Sequence, residues 1–336
     1  MTVSDPVRVV AVGTRGHAAR VVVPTIQSSQ RAVLAGLLGS DPNRTAVAAE
    51  ALHVATYRSV DEVLESDAVD AVWITAPNHL HAELAEQFLA GGVHVLLEKP
   101  MAIDDQSALR LVTTANESGA ELRVAFQHRY RAAHHRLRTA LAEKQFGDVG
   151  YVRVHRNWRF PYYPGQEVSE LSDWRGASST SGGWSINDIG SHLVDLLVWL
   201  ADSLPLTVVS ALFARQYPGI ANDSSSHLTM RMGEYCVAQV DTSNQLASPG
   251  SLIEVYGDRG WMRLVDSFDD TATMESHNGV EIIHNVSSAE TYQLMFEDFV
   301  SACHGDATFG TTAREALLGV QLIQQARCTG HFVEDL

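Results

Sequence analysis

The chain has 336 residues, 45% of them apolar and 19% charged, which is typical of a soluble enzyme with two domains. Its net charge of −16 argues against nucleic-acid binding, because contact with phosphates requires a clustered basic surface. No apolar run approaches the roughly 20 residues that span a membrane. The sequence therefore predicts neither a nucleic-acid nor a membrane partner.

The amino terminus and the cysteines indicate the compartment. Residues 1–6 contain no basic segment and no signal-peptide core ahead of the first predicted strand. The three cysteines, Cys236, Cys303 and Cys328, are too widely spaced for a disulfide framework or a cluster of metal ligands. We therefore expect a reduced, cytoplasmic protein without a metal site.

The first 126 residues alternate between strand and helix patterns. The predicted strands are residues 8–12, 33–38, 69–75, 93–97 and 122–126, with helices between them. One of these helices is opened by Ser59 and Glu62, which have the spacing of a capping box. This alternation predicts right-handed strand–helix–strand units around a parallel sheet.

After about Arg131 the pattern changes to longer strands joined by short turns. These predicted strands are residues 150–158, 207–214, 228–232, 237–242, 253–256 and 261–264. Helices are predicted at 134–143, 187–200, 292–304 and 313–328, and the irregular segment 160–183 has the length of a functional loop. We therefore expect a second domain built on a large, mainly antiparallel sheet, with domains at 1–126 and 127–336.

The first strand leads into Gly13-Thr14-Arg15-Gly16-His17-Ala18 and then a helix. The dinucleotide fingerprint needs a tight turn, a close backbone approach to the pyrophosphate, and a small residue where helix meets strand. Gly13 and Ala18 fit the first and third positions, whereas Arg15 occupies the position of the second glycine. The motif is degenerate, but its place after the first strand favours a dinucleotide site.

The second strand ends at Gly39-Ser40, where an NAD-binding domain usually has an acidic residue for the adenosine ribose. Asp41 lies just beyond, and Arg44 lies in the next turn. Without a carboxylate at the tip, and with Arg15 and Arg44 nearby, the sequence favours a 2′-phosphate and hence NADP over NAD. The alternative is that Ser40 and Asp41 only cap the following helix.

Two later strands end in polar residues at the edge where open α/β sheets bind ligands. Residues 69–75 run into Ala76-Pro77-Asn78 and then His81, and residues 93–97 run into Glu98-Lys99-Pro100. A lysine delivered by a buried strand predicts a ligand contact, because lysines are rarely buried. The alternatives are that Asn78 caps a helix and that Lys99 is an ordinary surface residue.

A glycine pair, Gly182-Gly183, precedes the predicted helix 187–200, on which Asp188, His192 and Asp195 share one face. A carboxylate one turn from an imidazole fixes its tautomer and raises its basicity, as proton transfer near neutral pH requires. The alternative is a structural histidine on an amphipathic helix. The pattern favours an acid/base pair.

Together these motifs resemble the glucose–fructose oxidoreductase/inositol dehydrogenase family, written Gfo/Idh/MocA. The resemblance lies in Pro77-Asn78-x-x-His81, Glu98-Lys99-Pro100, and Gly182-Gly183 through Asp188-x-Gly190-x-His192-x-x-Asp195, and it extends over essentially the whole chain. It implies an amino-terminal Rossmann domain and a carboxy-terminal α/β domain whose open sheet makes subunit contacts. A homodimer or homotetramer is therefore expected.

The resemblance also implies roles for individual residues. Lys99 would contact the nicotinamide ribose and the substrate hydroxyl, while His192, held by Asp188, would be the general acid/base. Trp174-Arg175 would approach the cofactor, and Arg129 would face the active site. The full set of candidate residues for NAD or NADP is Gly13, Thr14, Arg15, Ser40, Arg44, Ala76, Pro77, Asn78, His81, Glu98, Lys99, Arg129, Trp174 and Arg175.

The predicted reaction is hydride transfer between a nicotinamide and a hydroxyl or carbonyl carbon of a sugar, cyclitol or related polyol. One alternative is a ketoreductase of a nucleotide-activated deoxysugar, bound by a basic and aromatic groove of Arg153, Arg156, Arg159, Tyr162 and Tyr163. Others are a reductase of a non-sugar and a non-catalytic dinucleotide-binding regulator. An acid/base pair argues against the regulator, which has no use for one.

Overall fold

The computed structural model describes residues 5–161, 174–216, 220–247 and 250–335. It divides into two compact units. The first comprises residues 1–102, 106–127 and 289–317, and the second comprises 103–105, 128–288 and 318–336.

The first unit contains a six-stranded, fully parallel sheet with the order β3-β2-β1-β4-β5-β6. Its strands are β1 (Val7–Val12), β2 (Ala32–Leu38), β3 (Ala55–Tyr57), β4 (Ala71–Ile74), β5 (His94–Leu97) and β6 (Leu122–Val124). Every residue of β4 is buried, because helices cover both faces of a parallel sheet. The Rossmann architecture is confirmed, and the short strand β3 is an addition to the predicted set.

The helices of this unit follow the predicted alternation. A π-helical turn (Ala18–Val22) continues into α1 (Val23–Ser28), followed by α2 (Pro42–Leu52), α3 (Val60–Leu64), α4 (Asn78–Ala90) and α5 (Asp105–Ser118). The predicted cap of α3 is present, since Ser59 Oγ accepts a hydrogen bond from the Glu62 amide at 3.1 Å. The Glu62 carboxylate reaches back to the amide of Arg58 rather than that of Ser59.

The second unit contains a nine-stranded sheet in the order β14-β13-β12-β11-β7-β10-β9-β8-β15. The strands are β7 (Val149–Asn157), β8 (Leu206–Ala214), β9 (Ser225–Met232), β10 (Cys236–Ser243), β11 (Ser251–Gly257), β12 (Trp261–Val265), β13 (Thr271–Ser276), β14 (Gly279–His284) and β15 (His331–Phe332). Most pairs are antiparallel, as predicted, while β7–β10 and β8–β15 are parallel. Strands β13, β14 and β15 were not predicted.

One face of this sheet packs against helices. The helical segments that follow β6 along the chain are a 3-10 turn (Gln127–Tyr130), α6 (Ala132–Ala142), α7 (Ser178–Ser181), α8 (Ser185–Asp188), α9 (Gly190–Ala201), α10 (Ser288–Cys303), α11 (Ala313–Thr329) and a final 3-10 turn (Val333–Asp335). Of these, residues 289–317, in α10 and the start of α11, belong to the first unit. Every residue of α9 is buried, and its apolar side chains join those of β7 and β10 in one core cluster. No helix in the described ranges is long and apolar enough to cross a membrane.

Helix α10 corrects the predicted domain division. The prediction places residues 127–336 in one domain, but residues 289–317 belong to the first unit. Phe296 of α10 is fully buried and stacks on Trp73 of β4, with ring centroids 5.4 Å apart. The order of elements along the chain does not reveal this, because α10 lies between β14 and β15 of the second unit.

His134 fastens α6 within the second unit. This fully buried ring places Nδ1 2.7 Å from the carbonyl oxygen of His128 and Nε2 2.9 Å from Ser267 Oγ. A neutral ring satisfies both contacts by donating from Nδ1 and accepting at Nε2. Burial lowers the pKa of His134 to about 3.

This pKa predicts a pH-dependent stability. The unfolded state binds a proton near pH 6.5 and the folded state only near pH 3, so the stabilisation is present above pH 6.5 and is lost as the pH falls between these values. From pH 7 to 5, His134 accounts for a loss of about 2 kcal/mol. His134→Asn should flatten urea-unfolding stability over this range, whereas exposed His331→Asn should leave it unchanged. Parallel curves for wild type and His134→Asn would contradict the assignment.

Candidate active site

The glycine-rich turn lies at the carboxyl ends of β1 and β4, where the strand order of the first sheet reverses. Gly13 has a φ of +124°, and a Cβ added there would collide with Thr75 Oγ1. The Thr75 amide in turn donates to the Val12 carbonyl at 2.9 Å. Only glycine fits at position 13, where the turn packs closely against Thr75, so the first glycine of the fingerprint is structurally required and the residues present fit a dinucleotide.

Arg15 replaces the second glycine of the fingerprint without strain. Its side chain is exposed, and its φ is not in the left-handed region, where a non-glycine residue would be costly. The left-handed position of the turn is occupied by Gly16, with a φ of +54°. The degenerate motif is therefore compatible with the turn, and Thr14 and Arg15 lie on it as predicted.

At the end of β2, the interpretation of Asp41 as a helix cap is confirmed. Its carboxylate accepts a hydrogen bond from the Arg44 amide at 3.0 Å and contacts Arg44 Nε at 2.6 Å. The amide of Arg44 is the main cause that lowers the pKa of Asp41. Ser40 and the side chain of Arg44 are exposed at this tip, and their contact with a 2′-phosphate stays a prediction.

Glu98 is directed into the first unit. Its buried carboxylate accepts a hydrogen bond from Trp73 Nε1 at 3.3 Å, and His17 Nε2 lies 3.2 Å from the same oxygen. Burial raises the pKa of Glu98, but the neighbouring His17 and Lys99 outweigh it, so the pKa lies below its ordinary value. Glu98 therefore ties the glycine-rich turn to the strand that delivers Lys99, a different role from the predicted contact with the cofactor.

His81 connects the two loops that follow β4 and β5. Its buried ring places Nδ1 2.7 Å from the Pro100 carbonyl oxygen and Nε2 2.7 Å from that of Ala76. Both ring nitrogens thus contact backbone, and burial lowers the pKa of His81. This geometry supports a structural role around Lys99 rather than the predicted contact with the cofactor.

The remaining residues of these loops lie beside His81. Lys99 is half-buried directly after β5, and the Lys99–Pro100 peptide bond is cis. Asn78 is buried as the first residue of α4, and the N-cap position is Pro77. The interpretation of Asn78 as the helix cap is therefore wrong, because that position belongs to the preceding residue.

In the second unit, the predicted helix 187–200 is interrupted once, between Asp188 and His192. Asp188 ends the short helix α8 and α9 begins at Gly190, while Ile189 between them keeps helical dihedrals, with φ −98° and ψ −44°. The amide of His192, 8% exposed, donates to the Ile189 carbonyl at 3.1 Å. Pairing between Asp188 and His192 stays a prediction.

Asp195 is paired with Arg129. The guanidinium donates from Nε at 2.9 Å and from Nη2 at 2.7 Å to the two carboxylate oxygens of Asp195. Arg129 is fully buried, and Asp195 is 4% exposed. A bidentate, buried ion pair of this kind fixes α9 against the 3-10 turn. Contact of Arg129 with the cofactor therefore stays a prediction that this geometry does not support.

Two residues that sequence reasoning missed, Asn222 and Asp223, hold the segments around the glycine pair. The Asp223 carboxylate accepts hydrogen bonds from the amides of Trp184 and Ile186, both at 2.8 Å, and from Ser226 Oγ at 2.9 Å. The Asn222 amide donates to the Arg175 carbonyl at 3.0 Å. No local motif marks this pair, because its partners lie about 40 residues earlier.

The predicted pair Trp174-Arg175 lies on one of the segments that Asn222 holds. The Arg175 guanidinium is 4.3 Å from the centroid of the Trp174 ring, a cation–π contact. Both side chains are half-buried. The preceding residues 162–173, including Tyr162 and Tyr163 of the alternative groove, lie outside the described ranges.

Asp223→Ala should destabilise the protein strongly. The change leaves the two buried amides of Trp184 and Ile186 without an acceptor, at a cost of about 2–4 kcal/mol. Asp306→Ala removes an exposed carboxylate 3.4 Å from Arg31 and serves as the matched control, expected to change stability by less than about 1 kcal/mol. Urea unfolding of both variants measures the difference, and equal losses would refute the assigned role of Asp223.

Within the described residues, no group of three or more histidine, cysteine, aspartate or glutamate side chains is arranged to hold a metal ion. The predicted catalytic residues are Lys99 in the first unit and His192 with Asp188 in the second, and their roles stay predictions.

Comparison with known proteins gives the same organisation. Residues 7–126 match the Gfo/Idh/MocA oxidoreductase family model with an NAD-binding Rossmann fold, and residues 134–263 match the Gfo/Idh/MocA carboxy-terminal domain. The chain is 26% identical over 329 residues to D-xylose 1-dehydrogenase [NADP(+)] of Haloarcula marismortui, covering 95% of this chain and 90% of that protein.

Two further similarities agree. Over 152 residues, 45% of this chain and 44% of the relative, the identity to 1,5-anhydro-D-fructose reductase of Ensifer adhaerens is 34%. The crystal structure of KijD10, a 3-ketoreductase from Actinomadura kijaniata in complex with NADP and TDP-benzene, has a TM-score of 0.82 at 20% identity, covering 98% of this chain and 99% of that one. At that identity the likeness concerns the fold.

Both halves of the chain thus match one family, and the predicted resemblance is confirmed: the protein belongs to the Gfo/Idh/MocA family of NAD(P)-dependent oxidoreductases.

Proposed function

We propose that the protein transfers a hydride between NADP and a hydroxyl or carbonyl carbon of a sugar or related polyol. The observation that carries this proposal is Lys99, delivered half-buried at the carboxyl end of β5 and braced by Glu98 and His81 in a dinucleotide-binding unit. Similarity to an NADP-dependent D-xylose dehydrogenase over 95% of the chain supports a sugar-like substrate.

The bound nicotinamide supplies the hydride chemistry. In the oxidative direction, His192 takes the proton of the substrate hydroxyl, and in the reductive direction it returns that proton to the carbonyl oxygen. The Lys99 ammonium stabilises negative charge that develops during the transfer. Asp188 orients His192 and favours its protonated form when the proton is transferred.

NADP is preferred over NAD in this proposal because β2 ends without a free carboxylate. The one acidic residue there, Asp41, is engaged with both the amide and the Nε of Arg44. Ser40 is exposed at this tip and Arg15 is exposed on the glycine-rich turn, and they offer a hydroxyl and a cation to a 2′-phosphate.

Ser40→Asp should reverse this preference. A carboxylate at position 40 repels the 2′-phosphate and accepts hydrogen bonds from the ribose hydroxyls, so the ratio of the NADPH and NADH dissociation constants should move by at least about tenfold toward NADH. Fluorescence titration measures both constants, with Ser40→Asn as the uncharged control. An unchanged ratio of the two dissociation constants would mean that residues other than Ser40 recognise the 2′ position.

The described residues do not favour the nucleotide-sugar groove. Arg153 Nε donates to Asp241 at 2.7 Å, and its guanidinium also lies 3.9 Å from Glu254. Arg156 lies over the rings of Trp158 and Phe268, at 4.9 and 4.6 Å. Both arginines therefore have partners within the second unit, and a simple sugar substrate is the better-supported proposal.

The open face of the second sheet is the proposed subunit contact, in a homodimer or homotetramer. Along β8, β10 and β11 it exposes apolar side chains, each adjacent in its strand to a residue that is buried in the core: Val209, Leu212, Val237 and Tyr256. Sedimentation of wild type and of Val237→Glu tests the contact, since a buried charge should dissociate the assembly. A cytoplasmic location stays a prediction.

The function is tested by titration with NADH and NADPH, followed by a turnover screen over pentoses, hexoses, keto-sugars, cyclitols and sugar nucleotides. NADPH binding with dinucleotide-dependent turnover of an unactivated sugar or cyclitol is the expected result. Binding of neither dinucleotide would overturn the proposal. Binding with turnover of sugar nucleotides alone would replace it with the ketoreductase.

A further inference from the structure

His128, which no motif marked, lies beside the proposed acid/base residue. The rings of His128 and His192 meet nearly edge to face, with centroids 4.8 Å apart and an interplanar angle of 71°. Both residues are more than nine-tenths buried. A second imidazole therefore lies directly against the one that moves the proton.

The position of the proton on His128 is fixed by Arg156. Nη1 of this guanidinium lies 3.1 Å from His128 Nε2. A guanidinium only donates, so Nε2 must be the acceptor, and the proton of a neutral His128 must reside on Nδ1. Arg156 is itself held between the rings of Trp158 and Phe268, which makes this choice of tautomer rigid.

His128 also remains neutral. Burial is the main cause that holds its pKa well below the ordinary value, and the facing groups His192, Arg156, His134 and Arg131 act in the same direction. The backbone of His128 is fixed as well, since its carbonyl accepts the hydrogen bond from His134 Nδ1. His128 is therefore a permanent hydrogen-bond donor and not an acid.

That donor has no protein partner among the described residues. His128 Nδ1 is buried without a hydrogen bond, although the fold pins its proton there. An unmade hydrogen bond of a buried donor costs about 1–3 kcal/mol, so a native structure retains one where a ligand completes it. His128 is 6% exposed, and its ring lies against the ring of His192.

We infer that His128 is a specificity-determining residue that donates from Nδ1 to a substrate hydroxyl next to the reacting carbon. This inference rests on the proposed function, in which His192 exchanges a proton with the reacting oxygen. Vicinal hydroxyls of a sugar or cyclitol lie side by side, as the two histidine rings do. The protein should therefore prefer substrates with a vicinal diol over analogues in which the neighbouring hydroxyl is missing.

The test uses three variants of the full-length enzyme. His128→Asn keeps a donor near the position of Nδ1, His128→Gln moves it toward Nε2, and His128→Phe keeps an aromatic ring without a donor. We expect kcat/KM to fall about 10- to 100-fold in the Phe and Gln variants and to be largely retained in the Asn variant, with an unchanged dissociation constant for NADPH. If kcat/KM were retained in the Phe variant and lost in the Asn variant, His128 would act only through the packing of its ring. That result would overturn the inference.

Deoxygenated substrates and NMR separate this inference from the proposed function. Wild type should turn over the analogue lacking the neighbouring hydroxyl more slowly than the parent sugar. His128→Phe should turn over the two equally, because the hydrogen bond is already absent. Independently of turnover, long-range ¹H–¹⁵N spectra should show a neutral His128 protonated on Nδ1 from pH 6 to 8, and Arg156→Gln should abolish that tautomer. If no sugar were turned over, the proposed function would be refuted. A proton on Nε2 of His128, or activity losses that add when the analogue is given to His128→Phe, would refute only the role of His128.

Discussion

His192→Asn is expected to lower kcat about 10²- to 10⁴-fold, the range for loss of a general acid/base, while the dissociation constant for NADPH stays unchanged. His192 belongs to the second unit, at the start of buried helix α9, so its loss leaves the glycine-rich turn of the first unit intact. The limb of the pH–rate profile that reports the essential base should disappear with it. Steady-state kinetics across pH, together with fluorescence titration of NADPH, provides the measurement.

A matched control is available for this change. His331→Asn alters an exposed histidine of the second unit and should leave both kcat and the pH profile unchanged. A second variant, Asp188→Asn, tests the orienting role and should lower kcat less than His192→Asn does. Full activity of His192→Asn on a validated substrate would remove His192 from the reaction.

Lys99→Ala is expected to lower kcat about 10²- to 10³-fold, the loss typical of removing one group that stabilises charge in a transition state. NADPH should still bind, since the glycine-rich turn and the end of β2 are unaffected. A small primary amine added to the buffer should restore part of the lost turnover, because it replaces the missing ammonium. A structural defect would show no such rescue.

The chain offers an unusually clean control for this lysine. It contains only two lysines, Lys99 and Lys144, against 22 arginines. Lys144 is exposed and has a φ of 53°, so Lys144→Asn substitutes a residue that tolerates this backbone and should leave kcat unchanged. Amine-selective modification can be assigned between two positions by mass spectrometry, and NADPH should protect Lys99 alone. Equal protection of both lysines would contradict a site at Lys99.

Hydrophobic periodicity predicted the elements of each half wherever burial along the element is regular. Strand β4 is buried throughout and reads as a continuous apolar run, so it was predictable from residues 69–75. Strand β14 was not, because nearly all its residues are exposed and its sequence shows no alternation of apolar and polar residues. The break at Ile189 was equally hidden, since Asp188 to Asp195 has helical spacing whether or not the helix is continuous.

The candidate site likewise contains residues that local sequence predicts and residues that it does not. Lys99 was predictable because a charge at the end of a buried strand stands out locally. The positioning roles of Glu98, His81 and Asp195 depend on partners 5 to 81 residues away, and no single-sequence pattern specifies those contacts. Motif reasoning assigned Glu98, His81 and Arg129 to the cofactor, whereas the contacts described for these side chains are with the protein.

The position of α10 in the first unit determines where the chain can be divided into fragments that fold. A fragment ending at residue 127 would contain all six strands of the first sheet and yet lack Phe296, whose ring stacks on Trp73. That fragment would expose an apolar face and tend to aggregate. A dinucleotide-binding half fit for crystallography or screening must therefore be spliced, with residues 289–317 joined to 127 by a flexible linker.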